Sequence, residues 1–401
     1  MDFGHATEQY LVAAKNLIMK YFFIIFLTQV FSLNHSIETK SLFSFKGEFF
    51  DGTPMGIPMN IESFSDGSFV LHENETQDLK KFDHTGRFIE KLSRRGRGPG
   101  EFLDIDNIFI NQNDELLVLD HKQLKFSVLK QNEDVEEHRI FKSRPRAREI
   151  HQKSNGEYIL ASIKYSEIGR RESGALFYEI DERFNIKDKE FGFTEDYTLE
   201  EIGSLPHFVM RGGSGLTDSS ILTNGEDLLV APMFYTGRLI RYNSSSNYST
   251  FNQFSFKNFG IPYKEYESSS DNFNFNIMHE RGLNLVSNRT LGSRIFYHFN
   301  RSLGLFKLNT GEILHFAQIK RGEEADLIVE FINEEGSKVI GTQTLRNIGD
   351  IDVKENTSKK DNHSRIDLVF HHMDKNNRLY VSRMGKDFAP ELHVVQIKLN
   401  K

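Results

Sequence analysis

A glycine-rich connector feeding a series of short strands is the feature that most constrains this chain. Ser93-Arg94-Arg95-Gly96-Arg97-Gly98-Pro99-Gly100-Glu101-Phe102 is followed by the apolar stretches Leu103 to Ile110, Leu116 to Leu119 and Phe126 to Leu129, with turn signals between them. Short apolar runs bounded by Gly, Asn and Asp read as strands joined by tight turns. Weaker copies of the pattern recur along the chain. Asp66-Gly67, Asn113-Asp114, Asn155-Gly156, Asn224-Gly225 and Asn376-Asn377 each separate two strand-like runs. Asp-Gly and Asn-Gly predict two-residue primed turns, which need positive φ. A second hairpin type recurs at Leu79 to Ile89, Tyr178 to Glu182, Leu239 to Asn243 and Phe306 to Leu314.

Two hairpins make a four-stranded unit. About six units follow, starting near Asn60, Asp104, Arg148, His207, Arg281 and Arg365, and the shorter spacings sit near a propeller blade period of roughly 40–45 residues. The last unit, ending Glu391 to Ile397, is one strand short, and Ser41 to Phe45 precedes the first unit without a partner. Pairing the two closes the ring and removes two sheet edges. The predicted fold is therefore all-β, a six-bladed β-propeller of four-stranded antiparallel blades, closed by an N-terminal strand on the last blade. Two segments fit this scheme badly. Glu195 to Asp218 reads as a long connector, and 321–364 as an insertion. Residues 37–401 are then one domain.

The 36 Phe and 13 Tyr suit half-buried pleated surfaces. A net charge of −7 supplies no whole-molecule attraction for nucleic acid, and no basic face interleaved with aromatics is evident. The chain has no Cys, which excludes disulfides, thiolate metal sites, thiol nucleophiles and an anchor at a lipidated Cys. Lys15 and Lys20 flank an apolar run, residues 19–33. Its length is that of a signal-peptide core and short for a bilayer span. Residues 1–36 thus read as an upstream segment plus leader, with Met19 as a plausible true start. The mature chain is expected in the periplasm or outside the cell, with no transmembrane helix and as a monomer.

Arg97-Gly98-Pro99-Gly100-Glu101-Phe102, with Ile105, Ile108-Phe109-Ile110, Leu116 to Asp120 and Leu124-Lys125-Phe126, resembles an NHL-type propeller repeat. More narrowly, the chain resembles the six-bladed β-propeller family of secreted and surface proteins of Gram-negative gut and environmental bacteria. The resemblance spans roughly Lys40 to Leu399 and is close over Leu92 to Leu129. Many relatives carry a lipobox Cys that this chain lacks. The resemblance implies fold and compartment, not chemistry.

Gly96 to Gly100 does not make a phosphate loop. Glu101 stands where a dinucleotide loop needs its third Gly, and the Lys-Ser/Thr end of a Walker motif is missing. The glycines are expected to form a tight connector with Phe102 packed between blades. Arg94, Arg95 and Arg97 offer guanidinium forks suited to carboxylate, phosphate or sulfate. Inner-strand starts could carry oxygen ligands for Ca or Mg on the axis, with Asp106, Glu149 and Asp367 as the candidate trio. His371 and His372 are neighbours on a strand and point to opposite faces, so they cannot share an ion. Neither a Gly-x-Ser-x-Gly elbow nor a His-Glu-x-x-His helix occurs.

The functional expectation is an exported binding platform for a peptide, a protein partner or a glycan, with no assigned catalytic residue, cofactor or metal. Arg95, Arg97, Glu101, Asp106, Arg148 and Arg211 are the expected polar groups at its loop-bearing mouth. The competing class is a metal-dependent lactonase-like hydrolase or lyase with a divalent ion on the axis. That class requires carboxylates from at least three blades to converge.

Overall fold

The computed structural model describes residues 35–400, apart from 75, 121, 131–134, 139–145, 164–174, 194–219, 233–234, 249–250, 255–262, 267–282, 289–291, 299, 322–323, 361–362 and 386. The apolar run at 19–33 and the segment 195–218 lie outside this set. The described chain is almost entirely strand, with a single 3₁₀ turn at Ser244–Ser246.

Six four-stranded antiparallel sheets form the blades. Their inner strands are Pro58–Ser63, Ile105–Ile110, Arg146–Gln152, Ser220–Asn224, Arg301–Lys307 and Leu368–Met373. Each inner strand touches the next, and the sixth touches the first, so the blades form a closed ring. The sixth blade is completed by Ser36–Lys46, which pairs antiparallel with Pro390–Asn400.

Second strands such as Phe69–Glu73 and Leu116–Asp120 are buried at every residue, whereas the outer strand Phe88–Lys91 is exposed throughout. The cause is stacking: a middle strand has a blade on each side, and so reads as a continuous apolar run rather than an alternating one. The core is accordingly divided. Six apolar clusters occupy the six blade interfaces, from Phe69 and Phe82 with Phe45 and Tyr380 between blades six and one to Phe316 and Phe331 with Phe370 and Val395 between blades five and six.

The same logic corrects the reading of 321–364 as an insertion. Glu324–Ile332 and Val339–Leu345 are the third and fourth strands of blade five, and Leu327 to Ile332 is apolar because both of its faces are covered. Only two small hairpins, Asn347–Ile348 with Ile351–Asp352 and Thr357–Lys360 with His363–Ile366, remain outside the blades. Blade five begins at Arg301, not near Arg281. Leu283–Asn288 and Gly292–His298 instead join Tyr263–Tyr266 in a separate three-stranded sheet.

Asn224 pairs with Asp227 across a two-residue loop that begins at Gly225, φ +67°, but seven other turns differ from that expectation. At Phe64, Asp83, Asn111, Lys153, Asp181, Leu308 and Asp374, residue i accepts from the N–H of i+3 and donates its own N–H to the carbonyl of i+4. Residue i+3 is left-handed, for example Gly67 at φ +85° and Asn377 at φ +59°. This is a three-residue loop with a bulge. Where the first residue is Asp or Asn, its side chain braces the loop. Asp374 Oδ1 accepts from the N–H groups of Asn376 and Arg378, both at 2.8 Å, and Asn111 Oδ1 does the same for Asn113 and Glu115 at 2.9 Å.

These turns touch one another around the ring. Ser65 N donates to Asp114 Oδ1 at 2.8 Å, Gln112 N to Gln152 Oε1 at 2.8 Å, Ser154 N to the Gly225 carbonyl at 3.1 Å and Asn224 Nδ2 to the Glu334 carbonyl at 2.8 Å. Asn309 N then donates to Asn377 Oδ1 at 2.8 Å, and Arg378 Nη2 to the Gly67 carbonyl at 2.6 Å. The circuit visits blades one to six and returns to one. Because strands alternate direction within each blade, the blade-to-blade connectors leave from the opposite face.

Arg378 seals the circuit. Its Nε is 2.5 Å from Asp374 Oδ2, and its other nitrogens reach the His84 and Gly67 carbonyls. Arg378→Ala strands a buried carboxylate and two acceptors, and is expected to cost about 3 kcal/mol. Arg378→Lys is expected to recover less than half of that, since an ammonium lacks the planar fork. Urea denaturation checks this as a lowered midpoint at unchanged slope. A midpoint equal to that of the parent would refute the role.

Candidate functional site

The glycine-rich connector between blades one and two is built around Glu101. The Glu101 carboxylate accepts from Arg94 Nε at 2.6 Å and from the Gly98 N–H at 2.8 Å. The Gly98 N–H and then Arg94 hold its pKa below the ordinary value. Gly96 sits so close that an added Cβ would lie 2.0 Å from Glu101 Oε2. Gln123 Nε2 donates to the carbonyls of Gly96 and Glu101 at 3.2 and 3.0 Å, and Lys125 Nζ reaches the Gly98 carbonyl at 3.3 Å. Phe102 is fully buried in the interface of blades one and two, and Lys125 lies 5.2 Å from its ring centroid. The connector is therefore a latch onto blade two.

The six expected mouth residues separate accordingly. Glu101 is turned inward on its own loop, where Arg94 and the Gly98 N–H engage its carboxylate. Arg95 and Arg97 are exposed on the latch. Asp106 lies on the inner strand of blade two, partly exposed. Arg148 lies on the inner strand of blade three, and Arg211 is outside the described residues. Arg95 and Arg97 thus share the latch, and Asp106 and Arg148 lie on the inner strands of the next two blades.

The channel wall carries polar groups that sequence reading treated one at a time. Ser63 Oγ is 2.8 Å from His372 Nε2, and Glu62 Oε2 is 3.5 Å from His372 Nδ1, linking blades one and six. Asn60 Nδ2 reaches His72 Nδ1 at 3.1 Å and the Asp106 carbonyl at 3.3 Å, linking blades one and two. The Ile150 N–H donates to Asn107 Oδ1 at 3.3 Å, linking blades two and three, and His151 Nε2 is 3.1 Å from Glu149 Oε2. Among the described residues no group of three or more His, Asp or Glu side chains is placed to hold a metal; the trio Asp106, Glu149 and Asp367 is not such a group. His371 and His372 engage different partners, Ser382 Oγ at 2.7 Å and Ser63, and the strand pairing shifts between Phe370 and His372.

The histidines are tuned in opposite directions. Burial pushes His72 down to about 4, against Gln77, Asp104 and Asp106. Burial likewise lowers His371 to about 4. Burial also works against a charged His372, but the Glu62 carboxylate outweighs it and holds this imidazole above its ordinary value.

Residues 48–208 match the DUF5128 family model, described as a 6-bladed β-propeller. No curated protein matches the chain. Among solved structures, a DUF4221-family protein from Bacteroides vulgatus is 11% identical with a TM-score of 0.50, over 91% of this chain and 99% of that one. A candidate exported protein from Bacteroides fragilis is 12% identical with a TM-score of 0.47, over 91% and 95%. Virginiamycin B lyase from Staphylococcus aureus is 10% identical with a TM-score of 0.43, over 90% and 99%. At these identities the likeness is one of fold.

A buried neutral histidine binds fewer protons than its unfolded counterpart, whose pKa is about 6.5. Stability contributed by keeping His72 neutral is therefore present above pH 6.5 and lost as pH falls toward 4, by about 2–3 kcal/mol at pH 4.5. The His372–Glu62 pair has the opposite sign: its contribution is full below pH 6.5 and fades as pH rises through the raised value. Urea denaturation at pH 7 and 4.5 is expected to show a smaller loss of stability in His72→Gln than in the parent. An equal loss in the two proteins would place the acid sensitivity elsewhere.

Proposed function

We propose that the protein is an exported binding platform, a monomer that holds a peptide, a protein partner or a glycan at the connector-bearing mouth of the propeller. The observation that carries this reading is the asymmetry of the two faces. One face is a closed circuit of short turns, hydrogen-bonded blade to blade. The other gives rise to the blade-to-blade connections, among them the latch at Ser93 to Phe102, the three-stranded sheet of Tyr263–Tyr266, Leu283–Asn288 and Gly292–His298, and the two hairpins that follow blade five. A ring that carries its connections on one side is an arrangement by which β scaffolds present binding surfaces. Mixed polar groups along the inner strands, including Asn60, Glu62, Glu149 and His151, offer hydrogen bonds of both senses. Exposed Arg95 and Arg97 add positive charge suited to an acidic group. Export rests on the apolar run at 19–33, and no helix among the described residues is long and apolar enough to cross a membrane.

Peptide and glycan arrays probed with the purified protein test this, followed by titration of any hit. The expected result is a ligand whose affinity falls about tenfold, or 1.4 kcal/mol, in Arg95→Ala/Arg97→Ala at unchanged thermal stability. The same ligand should be indifferent to Asn113→Ala on the circuit face. Binding lost through Asn113→Ala and kept in the arginine double variant would overturn the assignment of the face.

A further inference from the structure

Between blades four and five, an apolar interface encloses an unbroken row of polar groups. Ser220 opens the inner strand of blade four and is partly exposed. Its Oγ is 2.7 Å from Ser302 Oγ, on the inner strand of blade five. Ser302 Oγ is 3.0 Å from His315 Nε2, and His315 Nδ1 is 2.8 Å from Glu330 Oε2. Tyr235 OH, from blade four, donates to the same Glu330 oxygen at 2.5 Å. Ser302 is 4% exposed, and His315, Glu330 and Tyr235 are fully buried among side chains such as Ile313, Ala317 and Ile328.

Register and a bulge assemble the row. His315 and Glu330 are directly opposed across the second and third strands, so their side chains share a face. The pairing shifts between Ser302 and Gly304, and such bulges re-aim a side chain. With a neutral His315 beside an ionised Glu330, one proton arrangement satisfies every contact. Burial and then the Glu330 carboxylate hold the Tyr235 phenol well above its ordinary pKa, so it stays a donor. An ionised Glu330 only accepts, which places the His315 proton on Nδ1 and leaves Nε2 bare. Ser302 then donates to Nε2, and its oxygen accepts from Ser220. Packing alone gives no reason for this row, since buried polar groups cost free energy that apolar residues of similar volume avoid. Glu330 Oε1 has no hydrogen-bond partner among the described residues, so positive charge arriving on His315 finds a poorly compensated carboxylate beside it.

We propose that this row is a proton relay that makes Ser220 a nucleophile toward esters, an activity separate from the ligand capture proposed above. Ser220 Oγ adds to the ester carbonyl carbon while its proton passes to Ser302 and the Ser302 proton passes to His315 Nε2. The imidazolium is held by Glu330. As the bond to the alcohol oxygen breaks, the proton returns through Ser302 to that oxygen, leaving acyl-Ser220, and water repeats the sequence to release the acid. Ser220 is the catalytic residue, and Ser302, His315, Glu330 and Tyr235 position and carry the proton.

The test is a fluorophosphonate probe on the full chain, in which Ser220 displaces fluoride and forms an Oγ–P bond. Mass spectrometry is expected to place the adduct on Ser220, with none in Ser220→Ala. Ser302→Ala cuts the relay and should slow labelling at least about a hundredfold, whereas Ser302→Thr, which keeps the hydroxyl, should restore most of the rate; a purely structural serine would show no such split. Glu330→Gln keeps the shape and should slow labelling about tenfold or more; it serves as the measurement if Ser302→Ala melts early. Absence of a Ser220 adduct in the parent overturns the proposal, as does an unchanged rate in whichever variant is folded.

Discussion

Closure of the ring is the constraint on which everything else depends. A blade has two apolar faces and cannot cover either one alone, so the interior is not a single core but six interfaces, each shared by two neighbours. If one interface opens, two blades lose a face at once. The junction between blades six and one carries this risk, because its halves come from opposite ends of the chain. It is also heavily secured. Ser36–Lys46 adds a strand to the last blade, Phe45 packs against Phe49 and Phe82 at 5.2 and 5.7 Å, and Arg378 ties blade six to two carbonyls of blade one. Closing a loop of nearly the whole chain is entropically costly, but the cost grows only slowly with length.

Polar groups buried at these interfaces fall into two kinds. Lys153, 3% exposed, is 2.9 Å from both Glu157 and Glu179 and 3.5 Å from Glu226 of the next blade. Burial disfavours its charge, yet Glu179 and Glu157 outweigh that and hold its pKa above the ordinary value. Lys187 and, against burial, Lys153 push Glu157 down to about 2. That cluster compensates its charges and links blades three and four. The row from Ser220 to Tyr235 is different in kind: it is linear, it starts at a partly exposed hydroxyl, and its terminal carboxylate is incompletely satisfied. The first arrangement suits a joint, the second suits proton movement.

Much of the architecture was legible because its signals are local. The turn residues Asp66-Gly67, Asn155-Gly156 and Asn376-Asn377 marked real strand ends, although each closes a three-residue loop with a bulge, braced at Asp374 by its side chain, that a dipeptide pattern misses. The run from Leu327 to Ile332 was misread for a related reason. Burial on both faces erases the alternation by which a strand is recognised, so the middle of blade five looked like an insertion. The glycine connector was located correctly, but a close approach such as that of Gly96 to Glu101 is invisible until the loop is folded, and Glu101 consequently looked like a ligand group.

Turn chemistry and strand-length apolar runs act over a few residues, so a repeated, cysteine-free, all-β ring with a latch at Gly96 to Phe102 could be read along the chain. Which polar residues meet is set by packing between blades. Ser220, Ser302, His315, Glu330 and Tyr235 belong to five separate strands and connections, and no spacing links them. Their contact depends on the pairing of His315 with Glu330, the bulge beside Ser302 and the stacking of blade four on blade five. Those are properties of closure, which a local pattern does not encode.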